Sequence, residues 1–184
     1  MERTTYLLID GENIDATLGN SILGRRPRPE ERPRWDRLLE WSERAFDQPV
    51  TGLFFLNASS GQLPSNFVQA LLAMDYRPIP LAGRSDEKVV DIGIQRTLDA
   101  LVAHPEADVL LCTHDADFVD HVERLMGGDR KLGLIALREY ASTAFTTLEL
   151  PIHDLEDDVG AFKVPLPRVR IIPLDDFDPE RFLR

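Results

Sequence analysis

The sequence predicts an α/β fold in which a mainly parallel central sheet carries helices on both faces. Three observations predict it. Strand-like and helix-like segments alternate from residue 4 to about residue 150, the pattern of successive β-α units. The strand-like segments are short continuous apolar runs, as expected of strands buried on both faces. The chain has 184 residues, 43% of them hydrophobic, which suits one domain with a sizeable core.

Tyr6-Leu7-Leu8-Ile9 is the first strand. Gly24 to Arg37 then holds six arginines, three prolines and three acids, and reads as a long loop or flap. Trp35, Leu38, Leu39, Ser42, Ala45 and Phe46 form the stripe of the first long helix. Val50 to Leu56 is the second strand, and Phe67, Ala70, Leu71 and Met74 mark the helix after it. Arg77 to Leu81 is a weaker strand, placed at an edge by its prolines at 78 and 80. Val90, Ile94, Leu98 and Leu101 line the next helix, which opens around Asp86 to Asp91. Val109 to Cys112 is the fourth strand, followed by the stripe Phe118, Val122 and Leu125 and a stop at Gly127-Gly128. Leu132 to Leu137 is the fifth strand, and Ala141 to Leu148 a short last helix. Residues 1–150 therefore read as one domain and 151–184 as an extension. The extension holds five prolines and eight acids against five bases, and Val169-Arg170-Ile171-Ile172 within it reads as an edge strand or docking segment.

Composition narrows the function. One cysteine excludes an intramolecular disulfide and any cysteine-rich zinc or iron–sulfur site. The four histidines show no zinc spacing. No apolar run approaches the ~20 residues that span a bilayer, and the start lacks the apolar core of a secretory signal, so a cytoplasmic location without membrane attachment is expected. No phosphate-binding glycine loop of the kinase or dinucleotide type is present. The net charge of -11 argues against broad binding of a polyanion, unless some of the acids are gathered around a divalent cation.

The strand ends show where such a gathering forms. In a parallel sheet the carboxyl ends of the strands share one edge, where ligands bind. The first strand ends in Asp10-Gly11-Glu12-Asn13 and the fourth runs into Thr113-His114-Asp115-Ala116-Asp117. Asp91 lies in the first turn of the helix after the third strand. Asp10, Asp91, Asp115 and Asp117 can therefore converge. Singly, each has an ordinary explanation: a turn residue for Asp10, helix caps or first-turn acids for Asp115 and Asp117, a solvated helix acid for Asp91. Together they suit Mg²⁺ or Mn²⁺, hard cations that take oxygen ligands.

These motifs, with Leu8-Ile9-Asp10-Gly11-Glu12-Asn13, Lys88-Val89-Val90-Asp91-Ile92-Gly93-Ile94 and Thr113-His114-Asp115-Ala116-Asp117-Phe118 in order, resemble the NYN domains, in their LabA-like branch, within the PIN-like nuclease superfamily. The resemblance covers about residues 4–150. It implies a Rossmann-like three-layer α/β/α sandwich and a Mg²⁺- or Mn²⁺-dependent ribonuclease site. It implies that Asp10, Asp91, Asp115 and Asp117 are the catalytic, metal-binding set. Asn13 matches the polar companion of the first aspartate, and Lys88 the lysine before the second. Two departures stand out: Thr97 occupies the place of a further family aspartate, with Asp99 on another face, and His114 replaces a glycine, crowding the approach or adding a proton-transfer group.

In the expected mechanism the aspartates hold the ion, Asn13 supports a ligand or the phosphate, and Lys88 and Arg84 bind phosphate as a point charge and a fork. The partner is RNA, with a homodimer as a candidate assembly. The arginine-rich segment is either a flap over the RNA or a solvated loop offset by its own acids, and Trp35 belongs to the core stripe. Two other functions compete. One is a catalytically weak or inactive module that binds RNA, a nucleotide or a protein. The other is an aspartyl-phosphate phosphatase, disfavoured by Glu12 where such enzymes carry a second aspartate.

Overall fold

A computed structural model describes residues 2–183. One sheet organises them, with strands β1 (Thr4–Ile9), β2 (Val50–Asn57), β3 (Arg77–Leu81), β4 (Ala107–Cys112), β5 (Leu132–Ala136) and β6 (Ile152–Asp154). Their order is β3-β2-β1-β4-β5-β6, and every pairing is parallel. Ile9, the last residue of β1, lies opposite Phe54 on one side and Cys112 on the other. The carboxyl ends of the two central strands therefore meet at one edge.

The helices are α1 (Gly11–Thr17), which continues as a π-helical stretch over Leu18–Leu23, then α2 (Trp35–Phe46), α3 (Ser65–Ala73), α4 (Val89–Leu101), α5 (Val119–Glu123) and α6 (Thr143–Thr147). Strand periodicity sorts the core into two layers. Leu7, Ile9, Phe54, Leu110 and Cys112 face Ile14, Leu38 and Leu71 of α1–α3. Leu8, Phe55, Val109, Leu111 and Leu134 face Val90, Ile94, Phe118 and Phe145 of the α4–α6 side. All six residues of β4 are buried, which is why its sequence is a continuous apolar run. Its one charged residue, Asp108, is fully buried and accepts hydrogen bonds from Arg3 (2.6 Å), Gln48 (2.8 Å) and the Lys131 N–H (2.8 Å). The fold is thus the three-layer α/β arrangement that the sequence predicts.

β3 is an edge strand, and its prolines are phased. Leu81 directs its carbonyl toward β2, where it accepts the Ala58 N–H at 2.7 Å. Strand alternation then points the backbone of residues 78 and 80 outward, and both are prolines with no N–H to offer.

The structure differs from the sequence reading at several places. Residues 11–23 are helical rather than part of the strand-end turn, and α2 opens at Trp35, so Asp36 and Arg37 leave the loop for the helix. Residues 11–23 bury only Ile14, Leu18 and Gly19, too sparse a set to print an amphipathic stripe. Ala45 and Ala70 face solvent, since alanine is tolerated on either face of a helix.

The sheet also continues past residue 150. β6 joins it, and Leu155, Val159 and Ala161 enter the core. Val169 to Ile172 form no strand: Val169 is 93% and Ile171 98% exposed. β6 already occupies the place beside β5, and Arg168 fixes where the chain leaves. Its guanidinium, 1% exposed, bonds Asp154 (2.7 Å), Glu156 (3.1 Å) and Glu139. Burial of Asp154 pushes its carboxyl up, but hydrogen bonds from Arg168 and from backbone N–H groups outweigh this and hold it well below the ordinary carboxylate range.

Candidate functional site

The connection after β1 crosses to the α1–α3 face and the connection after β4 to the other, which opens a crevice at the carboxyl ends of the two strands. Asp10 sits at its floor. Its backbone N–H continues the ladder to the Cys112 carbonyl at 3.1 Å. Its side chain is 2% exposed, and Oδ2 accepts the Thr113 hydroxyl at 2.9 Å. The same hydroxyl oxygen accepts the Asp115 N–H at 3.1 Å. Asp115 Oδ1 in turn accepts the Asp117 N–H at 2.9 Å, capping the single turn Ala116–Phe118. Asn13 Oδ1 accepts the His114 N–H at 2.8 Å, tying α1 to the β4 end.

Asp91 enters from the first turn of α4. Gly93 lets that helix lie close to the sheet, since a Cβ there would come within 2.3 Å of Leu81 Cδ1. One carboxylate oxygen each from Asp91, Asp115 and Asp117 lies within 4.8 Å of the others. Asp10, Asp91 and Asp115 line a common open cleft of about 330 Å³, with Glu12, Asn57, Glu87 and Lys88 in its walls. Among the described residues no lysine or arginine forms an ion pair with any of the four aspartates.

The cleft is therefore charge-frustrated. Burial, offset in part by the Thr113 hydroxyl and reinforced by the Asp91 and Asp115 charges, pushes the Asp10 carboxyl up to about 7. Burial and the Asp115 charge raise Asp91 as well, against the opposing pull of Lys88. A cluster of carboxylates that repel one another and form no direct ion pair is chemically matched to a hard divalent cation. The residues present fit such an ion.

Two expectations about the cleft need correction. Arg84 does not reach it: its guanidinium is 80% exposed and turned to Glu87 (3.3 Å) and Asp86 (3.8 Å) of its own loop. The Glu87 carboxylate also accepts the Arg84 N–H at 2.8 Å, so the pair is a local turn. His114 is no proton carrier. It is buried, with Nδ1 against the Thr17 hydroxyl at 2.9 Å and Nε2 accepting the Leu137 N–H at 2.9 Å. Burial lowers its pKa to about 4, so the neutral ring braces α1 against the ends of β4 and β5.

Lys88 immediately precedes α4 and lines the cleft wall, and Asn13 lines the cleft with its oxygen committed to His114. Thr97 bonds its own helix through the Gly93 carbonyl (2.8 Å), and Asp99 pairs with His121 (2.8 Å) and Arg124 (3.5 Å) away from the cleft. Three of the six arginines of the arginine-rich segment form ion pairs: within it Arg25 forks onto Glu31 (2.7 and 2.8 Å) and Arg34 reaches Asp36 (3.1 Å), and Arg32 reaches Asp15 of α1 (2.8 Å). Sequence reasoning missed Thr113, the hydroxyl that joins Asp10 to Asp115; its position between a buried strand and the acidic turn was the available signal.

The metal-free protein should lose stability as pH rises. The folded state holds the Asp10 proton up to about pH 7, whereas a free carboxyl releases it near 3.8. The folded form thus binds more protons across that window, and stability falls from pH 4 to 7 by roughly 2–4 kcal/mol. Urea midpoints in EDTA should show the slope, and Asp10→Asn should flatten it.

Residues 4–149 match the family model of the NYN domain. No curated protein matches the chain.

Proposed function

The chain belongs to the NYN domain family, and from that premise we propose that it is a metal-dependent ribonuclease cleaving RNA phosphodiesters in the acidic cleft. The observation that carries this reading is the convergence of Asp91, Asp115 and Asp117 oxygens within 4.8 Å, beside a buried Asp10 and, among the described residues, without an ion pair to lysine or arginine. Asp91 and Asp115 would hold Mg²⁺ or Mn²⁺, with Asp10 supporting them from the floor of the cleft. When bound, the ion neutralises charge on the scissile phosphate and lowers the pKa of its water. Asp117, the exposed member of the cluster, orients the nucleophilic water. Lys88 offers the phosphate a point charge from the cleft wall. Asn13 holds the Thr113–Asp115 turn in place through the His114 N–H.

The phosphatase alternative requires Asp10 to attack a phosphorus atom. Its near-complete burial and the Thr113 hydrogen bond leave it badly placed to do so. The acidic surface also accounts for a local grip on RNA in place of broad affinity. Purified protein should cut single-stranded RNA with Mn²⁺, stop in EDTA and recover when Mn²⁺ is restored. Binding without cleavage under saturating Mn²⁺ would move the assignment to a non-catalytic RNA-binding module.

A further inference from the structure

A second pocket adjoins the acidic cleft. It has a volume of about 360 Å³, and its walls include Trp35, Phe54, Leu56 and Phe67. The aromatic rings meet edge to face: Trp35 and Phe54 at 5.2 Å and 78°, Phe54 and Phe67 at 5.2 Å and 79°. Its charged lining residues are Glu12, Asp15, Arg26 and Arg32. Arg32 is committed to Asp15. Arg26 forms no ion pair among the described residues and is exposed.

One dipeptide joins the two spaces. Asp10 lines the cleft, and Gly11 lines the aromatic pocket. A Cβ at Gly11 would lie 2.6 Å from Phe54 Cζ, so the missing side chain is what lets the aromatic wall reach the backbone beside Asp10. Glu12 lines both spaces.

We propose that this pocket seats one unpaired nucleobase of the RNA whose phosphate lies in the acidic cleft. The proposal rests on the nuclease reading above and adds a base subsite to it. The partly exposed Phe67 ring, with the buried Trp35 and Phe54 packed behind it, gives any base a stacking or edge contact, a guanidinium adds a cation–π or phosphate contact, and carboxylates of the lining accept from base N–H groups. A base held in a duplex cannot enter, so single-stranded or looped RNA is selected. The pocket reads the presence of a base next to the cut, and it brings affinity that the acidic surface withholds.

The test is an abasic scan. Short single-stranded RNAs carrying one abasic position are compared with the intact strand, by cleavage with wild-type protein in Mn²⁺ and by binding to wild-type protein in Ca²⁺. Trp35 emission is followed in a Trp41→Phe background. One position near the cut should carry a penalty of about tenfold in both assays. That penalty should vanish in Phe67→Ala, and intact RNA should change Trp35 emission where the matching abasic strand does not. Arg26→Ala and Phe67→Leu serve if Phe67→Ala fails to fold. A flat scan, or a penalty that survives every pocket variant, overturns the base subsite while leaving the nuclease standing. No cleavage and no binding of intact RNA by wild type overturns the nuclease reading and the subsite with it.

Discussion

Asp115→Asn is expected to abolish Mn²⁺-supported RNA cleavage while leaving the metal-free protein at least as stable as wild type. The carboxamide oxygen can still accept the Asp117 N–H that now bonds Asp115 at 2.9 Å, so the turn survives. What disappears is a charge that raises the carboxyls of both Asp10 and Asp91. In EDTA the variant should therefore melt no lower than wild type. With Mn²⁺ the order reverses, because a ligand at 100 times its dissociation constant stabilises the protein that binds it by about 2.7 kcal/mol. Melts in EDTA and in Mn²⁺, run beside the cleavage assay, separate loss of the ion from loss of the fold. Equal stabilisation of both proteins by Mn²⁺, or undiminished cleavage by the variant, would sink the metal assignment. Asp10→Asn should abolish cleavage too, with its gain in metal-free stability confined to the pH range where Asp10 would be ionised.

Arg168→Met is expected to destabilise the fold by about 3–5 kcal/mol, the usual result of removing one partner from a buried ion pair. Arg168 and Asp154 are 1% and 2% exposed, and Glu139 and Glu156 complete the cluster. Without the guanidinium, Asp154 keeps its bonds to the N–H groups of Arg138, Glu156 and Asp157, but the group loses its one buried cation among the described residues. The acid limb should change with it. Asp154 is depressed in the folded state, so its contribution is present above the ordinary carboxylate range and is lost as pH falls through and below it. The variant, lacking that contribution, should have a shallower acid limb in urea unfolding. Arg170→Ala is the control: its ion pair with Asp157 is half exposed and should be worth less than about 1 kcal/mol.

The fold was legible because buried parallel strands leave continuous apolar runs, as Val109 to Cys112 does. The edge position of β3 was legible because proline cannot donate to a ladder. α1 was not, because a helix that buries one row of side chains prints no stripe. β6 was not, because three residues give no periodicity, and its anchor is an arginine that looks like any other in an acidic tail. At the site, the convergence of Asp91, Asp115 and Asp117 followed from strand polarity together with the place of Asp91 in the first turn of the helix after the third strand. The failure of Arg84 to join them depended on a local turn with Glu87, and the role of His114 depended on two hydrogen bonds to residues far away in sequence. Such contacts are properties of packing, and no spacing announces them.

The phasing of Pro78 and Pro80 has a consequence for how these molecules meet. An incoming strand needs N–H donors from the edge that it joins, and the outward positions of β3 supply none. At the opposite edge β6 is only three residues long. Neither side of the sheet is therefore a template for fibrous stacking, so a crowded solution of this protein has little to gain from edge-to-edge growth.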